Sequence, residues 1–133
     1  MTYFLDTNIC IYYLKGMNTR IKETLFRKKP EEIKIASVVK AELLFGAEKS
    51  RDTRNNTERV REFLFPFEIV PFGDKETYVY ARIRQDLEKK GNLIGPNDLL
   101  IASTVLANGG VLVTNNESEF TRIPGLAREN WAH

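Results

Sequence analysis

Met1-Thr2-Tyr3-Phe4-Leu5-Asp6-Thr7-Asn8 is the stretch whose reading decides the fold. A short apolar run stops at a carboxylate, and a second apolar segment, Ile9-Cys10-Ile11-Tyr12-Tyr13-Leu14, follows at once. This reads as a buried strand running into a helix that Asn8 can cap. In open α/β sheets ligands bind beyond the carboxyl ends of the strands, which makes Asp6 a candidate ligand-binding acid. The plainer reading is that Asp6 only satisfies free amides at the start of the helix.

Outward from this stretch the same alternation recurs. A helix over residues 8–15 should stop at Gly16, and a second over 18–29 should end at Pro30 after the basic run Arg27-Lys28-Lys29. Glu32-Ile33-Lys34-Ile35-Ala36 alternates like a strand, with Ser37 as cap for a helix over 38–50. The polar residues from Lys49 to Arg61 suggest a loop, continued by a helix over 58–65 and a strand over 67–71. Asp74 is placed to cap a helix carrying Val79, Ile83 and Leu87 at four-residue spacing and ending at Gly91-Asn92. Gly95-Pro96-Asn97-Asp98 opens a helix over 99–108, and Gly109-Gly110 closes it. Val111 to Thr114 reads as a buried strand, Asn115 to Glu119 as a polar loop, and Trp131 as an anchor for the tail. Strands alternating with helices in this way predict an α/β fold: one domain over 1–133, a mainly parallel sheet flanked by helices on both faces.

Composition narrows the chemistry. The chain has 133 residues, a formal charge of +2, one cysteine (Cys10) and one histidine (His133, the last residue). No disulfide can form within the chain, and neither a Cys/His zinc cage nor a Ser-His or Cys-His catalytic pair can be assembled from these residues. A metal would therefore be held by oxygen, which favours Mg²⁺ or Mn²⁺. No signal-type N-terminus or bilayer-length apolar segment is present, so the cytoplasm is the expected compartment and no membrane partner is expected.

Four acids sit beside apolar runs at comparable strand-to-helix junctions: Asp6, Glu42, Asp98 and Glu119. Each has a bland alternative. Asp98 suits a helix N-terminus, Glu119 suits a solvated loop, and Glu42 can pair with a nearby base. Together, carboxylates brought to one sheet edge repel one another, and a divalent cation relieves that repulsion. Such a site suits phosphodiester hydrolysis. Lys40, Lys49, Arg51 and Arg54 are candidate contacts to a nucleic-acid backbone, although a solvated helix face explains them equally well.

At these residues the sequence resembles PIN-domain ribonucleases of the VapC toxin type. The matching stretches are Leu5-Asp6-Thr7-Asn8, Ala41-Glu42-Leu43 with Gly46, Asp98-Leu99-Leu100-Ile101-Ala102, and Val113-Thr114-Asn115-Asn116 with Glu119-Phe120. Gly46 to Ser50, Ile94 to Asp98, Pro124-Gly125-Leu126 and Asn130-Trp131 are similar to the subgroup associated with initiator-tRNA cleavage. The resemblance implies a Mg²⁺-dependent endoribonuclease (Mn²⁺ also serving) with Asp6, Glu42 and Asp98 as core metal-binding acids. Many PIN domains have an aspartate where this chain has Asn116, so the fourth acidic role passes to Glu119. Thr7, Asn8, Thr114 and Asn116 would support these ligands.

The resemblance further implies a VapB-type antitoxin as partner, operator DNA reached only through that antitoxin, a homodimer within a larger toxin–antitoxin assembly, and translation arrest through tRNA cleavage. Three rivals stand beside it: a PIN-like RNA-binding scaffold without activity, a haloacid-dehalogenase-type phosphatase, and a phospho-receiver domain. The phosphatase wants a second carboxylate at position 8, where Asn8 stands.

Overall fold

The computed structural model describes residues 1–133. Strand β1 (Tyr3–Leu5) leads into α1 (Thr7–Leu14) and α2 (Thr19–Arg27). A 3₁₀ turn (Pro30–Glu32) precedes β2 (Ile33–Ala36), α3 (Ser37–Glu48) and α4 (Thr53–Leu64). Next come β3 (Glu68–Val70), α5 (Asp74–Lys89) and α6 (Pro96–Ala107). The chain closes with β4 (Val111–Val113), the single turn α7 (Glu117–Phe120) and β5 (Arg128–Glu129).

All five strands are parallel, in the order β3-β2-β1-β4-β5. From the central β1 the chain moves outward through β2 and β3, then returns to the other side of β1 as β4. Right-handed crossovers place α1 to α4 on one face and α5 with α6 on the other, the expected α/β/α layering. The topological switch lies between β1 and β4, and it opens a crevice at their carboxyl ends. Asp6 and Thr114 are the first residues beyond those two ends.

The strands are buried on both faces, hence their unbroken apolar runs. Phe4, Ile35 and Leu112 have no exposed surface, and they join Ile9, Val39, Leu87 and Val105 in one core cluster. Gly110 is fixed by that packing. A Cβ at this position would lie 2.6 Å from Cδ1 and Cε1 of Phe4. Gly110→Ala should therefore cost about 1–3 kcal/mol through overpacking, measured as a lowered denaturation midpoint with an unchanged denaturant slope.

Several local expectations are corrected. Helix α1 starts at Thr7, and its cap is Asp6, whose Oδ1 accepts the Ile9 amide at 2.9 Å; Asn8 lies inside the first turn. An aspartate caps as well as an asparagine and stands at the strand end, so it takes the role first. Ala36 and Gly73 hold the positions given to Ser37 and Asp74. The Ser37 hydroxyl instead accepts the Phe72 amide at 3.3 Å, and Asp74 sits in the first turn of its helix.

The supposed loop over 49–61 is mostly α4. Asp52 caps it, and only Val60 and Leu64 are buried, so its polar first half faces solvent. Glu117 to Phe120 form a helical turn rather than a loop, driven by burial of Phe120. Strand β5, Arg128–Glu129, is an addition: two exposed polar residues carry no strand pattern, and pairing with β4 makes them one.

Candidate active site

The four acids reach the crevice from four separate elements. Asp6 is at the end of β1, and its backbone amide donates to the Val113 carbonyl of β4 at 3.0 Å. This ladder bond ties it to the switch point. The Asp6 carboxyl is 4% exposed. Burial raises its pKa to about 6; Thr114 and the Ile9 amide pull it back down, and the charge of Glu42 adds to the rise. Asp6 is therefore both a helix cap and a buried acid at the sheet edge.

Asp98 stands in the first turn of α6, which Pro96 opens. Burial pushes its pKa to about 7, followed by the hydrogen bond and charge of Glu119 and the charges of Asp6 and Glu42. Asp98 thus feels all three of the others. Burial works against the Glu119 carboxylate too, but the Gly95 amide, Asp98 and Asn116 together hold its pKa below the usual glutamate value. The Gly95 amide donates to Glu119 Oε1 and the Asn116 side-chain amide to Oε2, each at 2.6 Å. One proton shared by the Asp98–Glu119 pair accounts for the opposite directions of their shifts. Gly95 lies directly behind this pair: a Cβ there would be 3.5 Å from Glu119 Oε1 and 3.7 Å from Asp98 Oδ2.

Glu42, one turn into α3, accepts the Thr7 hydroxyl at 2.5 Å and the Asn97 side-chain amide at 3.1 Å. The Thr114 hydroxyl accepts the Asn116 backbone amide at 2.9 Å and shapes the turn that leads to Glu119. Asn8 is exposed on the wall of the adjoining groove, and its side chain makes no hydrogen bond to the acids. Gly95 and Asn97 contact the acids but were not among the candidate residues. In Gly95-Pro96-Asn97-Asp98 only the acid carries chemistry that is visible in the sequence.

A groove of about 920 Å³ is lined by Thr7, Asn8, Glu42 and Asn97 together with the bases Lys15, Lys49 and Arg59. Of the four candidate backbone contacts, Lys49 lies in its wall. Arg51 and Arg54 are exposed outside it, and Lys40 faces a separate depression beside Arg61 and Phe65.

The PIN-domain family model matches residues 3–126 of this chain. The chain belongs to the PIN-domain family. Within it, the chain is 45% identical over 132 residues to Ribonuclease VapC2 of Rickettsia felis, with 98% of each chain covered. It is 36% identical over 131 residues to the tRNA(fMet)-specific endonuclease VapC of Salmonella typhimurium, again with 98% of each covered. These full-length matches put this PIN domain in the VapC group.

Among solved structures, the DNA-bound VapBC of Salmonella typhimurium aligns with a TM-score of 0.93 at 36% identity, covering 98% of each chain. VapBC2 of Rickettsia felis bound to a promoter DNA fragment aligns at 0.91 and 42% identity, covering 98% of this chain and 99% of that one.

Whether these acids suit a metal is decided by chemistry and charge. As they stand, no group of three His, Cys, Asp or Glu side chains closes around one point to hold an ion. Glu42 and Glu119 each accept two internal hydrogen bonds, one per oxygen, which leaves a lone pair on each oxygen for an ion. The donor set is all oxygen, and none of the chain's four ion pairs involves any of the four acids. The PIN domain thus gathers repelling carboxylates without a bonded cation of its own, and a hard divalent ion fits that deficit.

Proposed function

We propose that this PIN domain is a VapC-type toxin: a metal-dependent endoribonuclease whose substrate is initiator tRNA, cut in its anticodon region, with arrest of translation as the result. The observation that carries the reading is the convergence of Asp6, Glu42, Asp98 and Glu119 on one sheet edge, beside a groove that Glu42 lines together with Lys15, Lys49 and Arg59. Asp6, Glu42 and Asp98 would hold Mg²⁺ or Mn²⁺, with Glu119 completing the set. When bound, the ion supplies neutralising charge for the phosphoryl oxygens and makes water acidic enough to act at neutral pH.

The chain's own residues perform the rest. Burial keeps bulk water from Asp6, and its hydrogen bonds fix its carboxylate against β4. In the metal-free protein the Asp98–Glu119 pair shares a proton that it would give up on binding the ion, while the Gly95 and Asn116 amides keep the Glu119 carboxylate oriented. Lys15, Lys49 and Arg59 attract the RNA backbone and orient the chain along the groove. Loops such as an anticodon loop present the unpaired nucleotides that such a groove can accept.

A VapB-type antitoxin is the expected partner, since structural relatives include three VapBC complexes, two of them DNA-bound. Contact with operator DNA would then come through that antitoxin. Phe26, Phe45 and Phe65 are 66%, 64% and 90% exposed and line three separate depressions, apolar spots that suit covering by an antitoxin or a second toxin copy. No helix is long and apolar enough to cross a membrane, and the proposed substrate places the protein in the cytoplasm.

The test is incubation of the purified protein with total tRNA and Mg²⁺ or Mn²⁺, with and without chelator. Discrete fragments of initiator tRNA, lost on chelation and on adding antitoxin, are expected. Cleavage that persists under chelation would overturn the metal reading. Fragments from many RNAs would overturn the narrow substrate, and binding without cleavage would favour a scaffold. Lys49→Glu and Arg59→Glu should each weaken RNA binding several-fold and flatten its salt dependence, measured by filter binding at two salt concentrations.

A further inference from the structure

Like Glu119, Glu42 is held at both carboxylate oxygens, but its two donors are side chains that adjoin Asp6 and Asp98. Both of its carboxylate oxygens are engaged, each by a neutral donor from a different element. Thr7 Oγ1 donates to Oε1 at 2.5 Å, and Asn97 Nδ2 donates to Oε2 at 3.1 Å. Thr7 directly follows Asp6, and Asn97 directly precedes Asp98. The Glu42 carboxylate therefore bridges the two backbone segments that carry the other two core acids.

A glutamate on a helix face turns about three side-chain bonds, so an untethered carboxylate would sample several rotamers. Two hydrogen bonds to a charged acceptor remove most of that freedom. Both donors are uncharged, which matters at this site. A lysine in place of Asn97 would also hold Glu42 but would cancel the negative charge that attracts a cation. An aspartate would keep the shape but lose the donor and repel Glu42.

We propose that Asn97 is a positioning residue: with Thr7, it fixes the Glu42 carboxylate toward Asp6 and Asp98. The assignment rests on the reading of this site as a metal-dependent ribonuclease centre. Asn97 is itself exposed in the groove wall, so the competing account is direct contact between its amide and RNA.

A double-substitution cycle separates the two, read both as RNA cleavage and as Mn²⁺ binding by calorimetry without RNA. Asn97→Ala should weaken Mn²⁺ binding and lower kcat, each about 10- to 100-fold, with KM for RNA nearly unchanged. Asn97→Asp should do no better, whereas Asn97→Gln, which retains a donor, should recover part of the loss. In a Glu42→Ala background, Asn97→Ala should have no further effect on either measurement.

Equal losses in both backgrounds would overturn the proposal and assign Asn97 to RNA. A raised KM with Mn²⁺ binding intact would do the same. If the parent protein cleaves no RNA, the ribonuclease reading fails, and the Mn²⁺ measurement still decides whether Asn97 acts through Glu42. A wild-type melting midpoint for Asn97→Ala serves as the folding control.

Discussion

Asp6→Asn is expected to lower RNA cleavage by a factor of ~10³ or more while making the metal-free protein more stable above pH 6. Both effects follow from one buried carboxylate. Its pKa is raised from 3.8 to about 6, chiefly by burial. In the folded protein it keeps its proton to higher pH than in the unfolded chain. Folding is therefore penalised progressively as pH rises from 3.8 to about 6, and the full penalty persists above that. At about 1.4 kcal/mol per unit, the penalty is of the order of 2–3 kcal/mol.

Asparagine keeps the cap on the Ile9 amide and has no charge to bury. The variant should thus melt several degrees higher than the parent at pH 8 in chelator, and the two should coincide near pH 4. Equal midpoints at pH 8 would show that the Asp6 charge is not costly in the fold. Full activity in the variant would remove Asp6 from the metal-binding set.

A second large effect is expected from the ion itself. Saturating Mg²⁺ or Mn²⁺ should raise the melting midpoint at pH 8, where Asp6 and Asp98 are ionised and repel each other, Glu42 and Glu119. It should do little at pH 5, where protons occupy the two acids whose pKa values lie near 6 and 7. Binding at a hundred times the dissociation constant corresponds to about 2.7 kcal/mol. The gain should appear between about pH 6 and 8, over the range in which the ion must displace those protons. Cleavage should rise over the same interval. Asp98→Asn should weaken the ion-dependent gain and shift the remaining pH dependence downward, toward that of Asp6. An equal gain at pH 5 and pH 8 would place the ion elsewhere on the protein.

The candidate acids were legible because each stands next to an apolar run. Asp6 ends β1, Glu42 lies one turn beyond β2, Asp98 opens α6, and Glu119 follows β4. In a parallel sheet those junctions share one edge, so their order along the chain already implied a common neighbourhood. The elements that were misread lacked that contrast. The first half of α4 is polar and exposed, and β5 has only Arg128 and Glu129, so neither shows a buried period. Asn97 and Gly95 escaped because an uncharged side chain and a backbone amide have no visible chemistry until an acid faces them.

What the sequence determined by itself was the alternating α/β order, the absence of usable Cys and His chemistry, and which four acids are candidates for the site. These follow from local patterns and composition, which depend only on residues near one another in the chain. The tertiary structure decided which donor meets which acid. Glu42 is held by residues 35 and 55 positions away, and Glu119 by the Gly95 amide 24 positions back. It also decided how far each acid leaves water. That degree of burial, with the charges gathered around it, puts Asp6 near 6 and Asp98 near 7, and no reading of Met1 to Asn8 contains it.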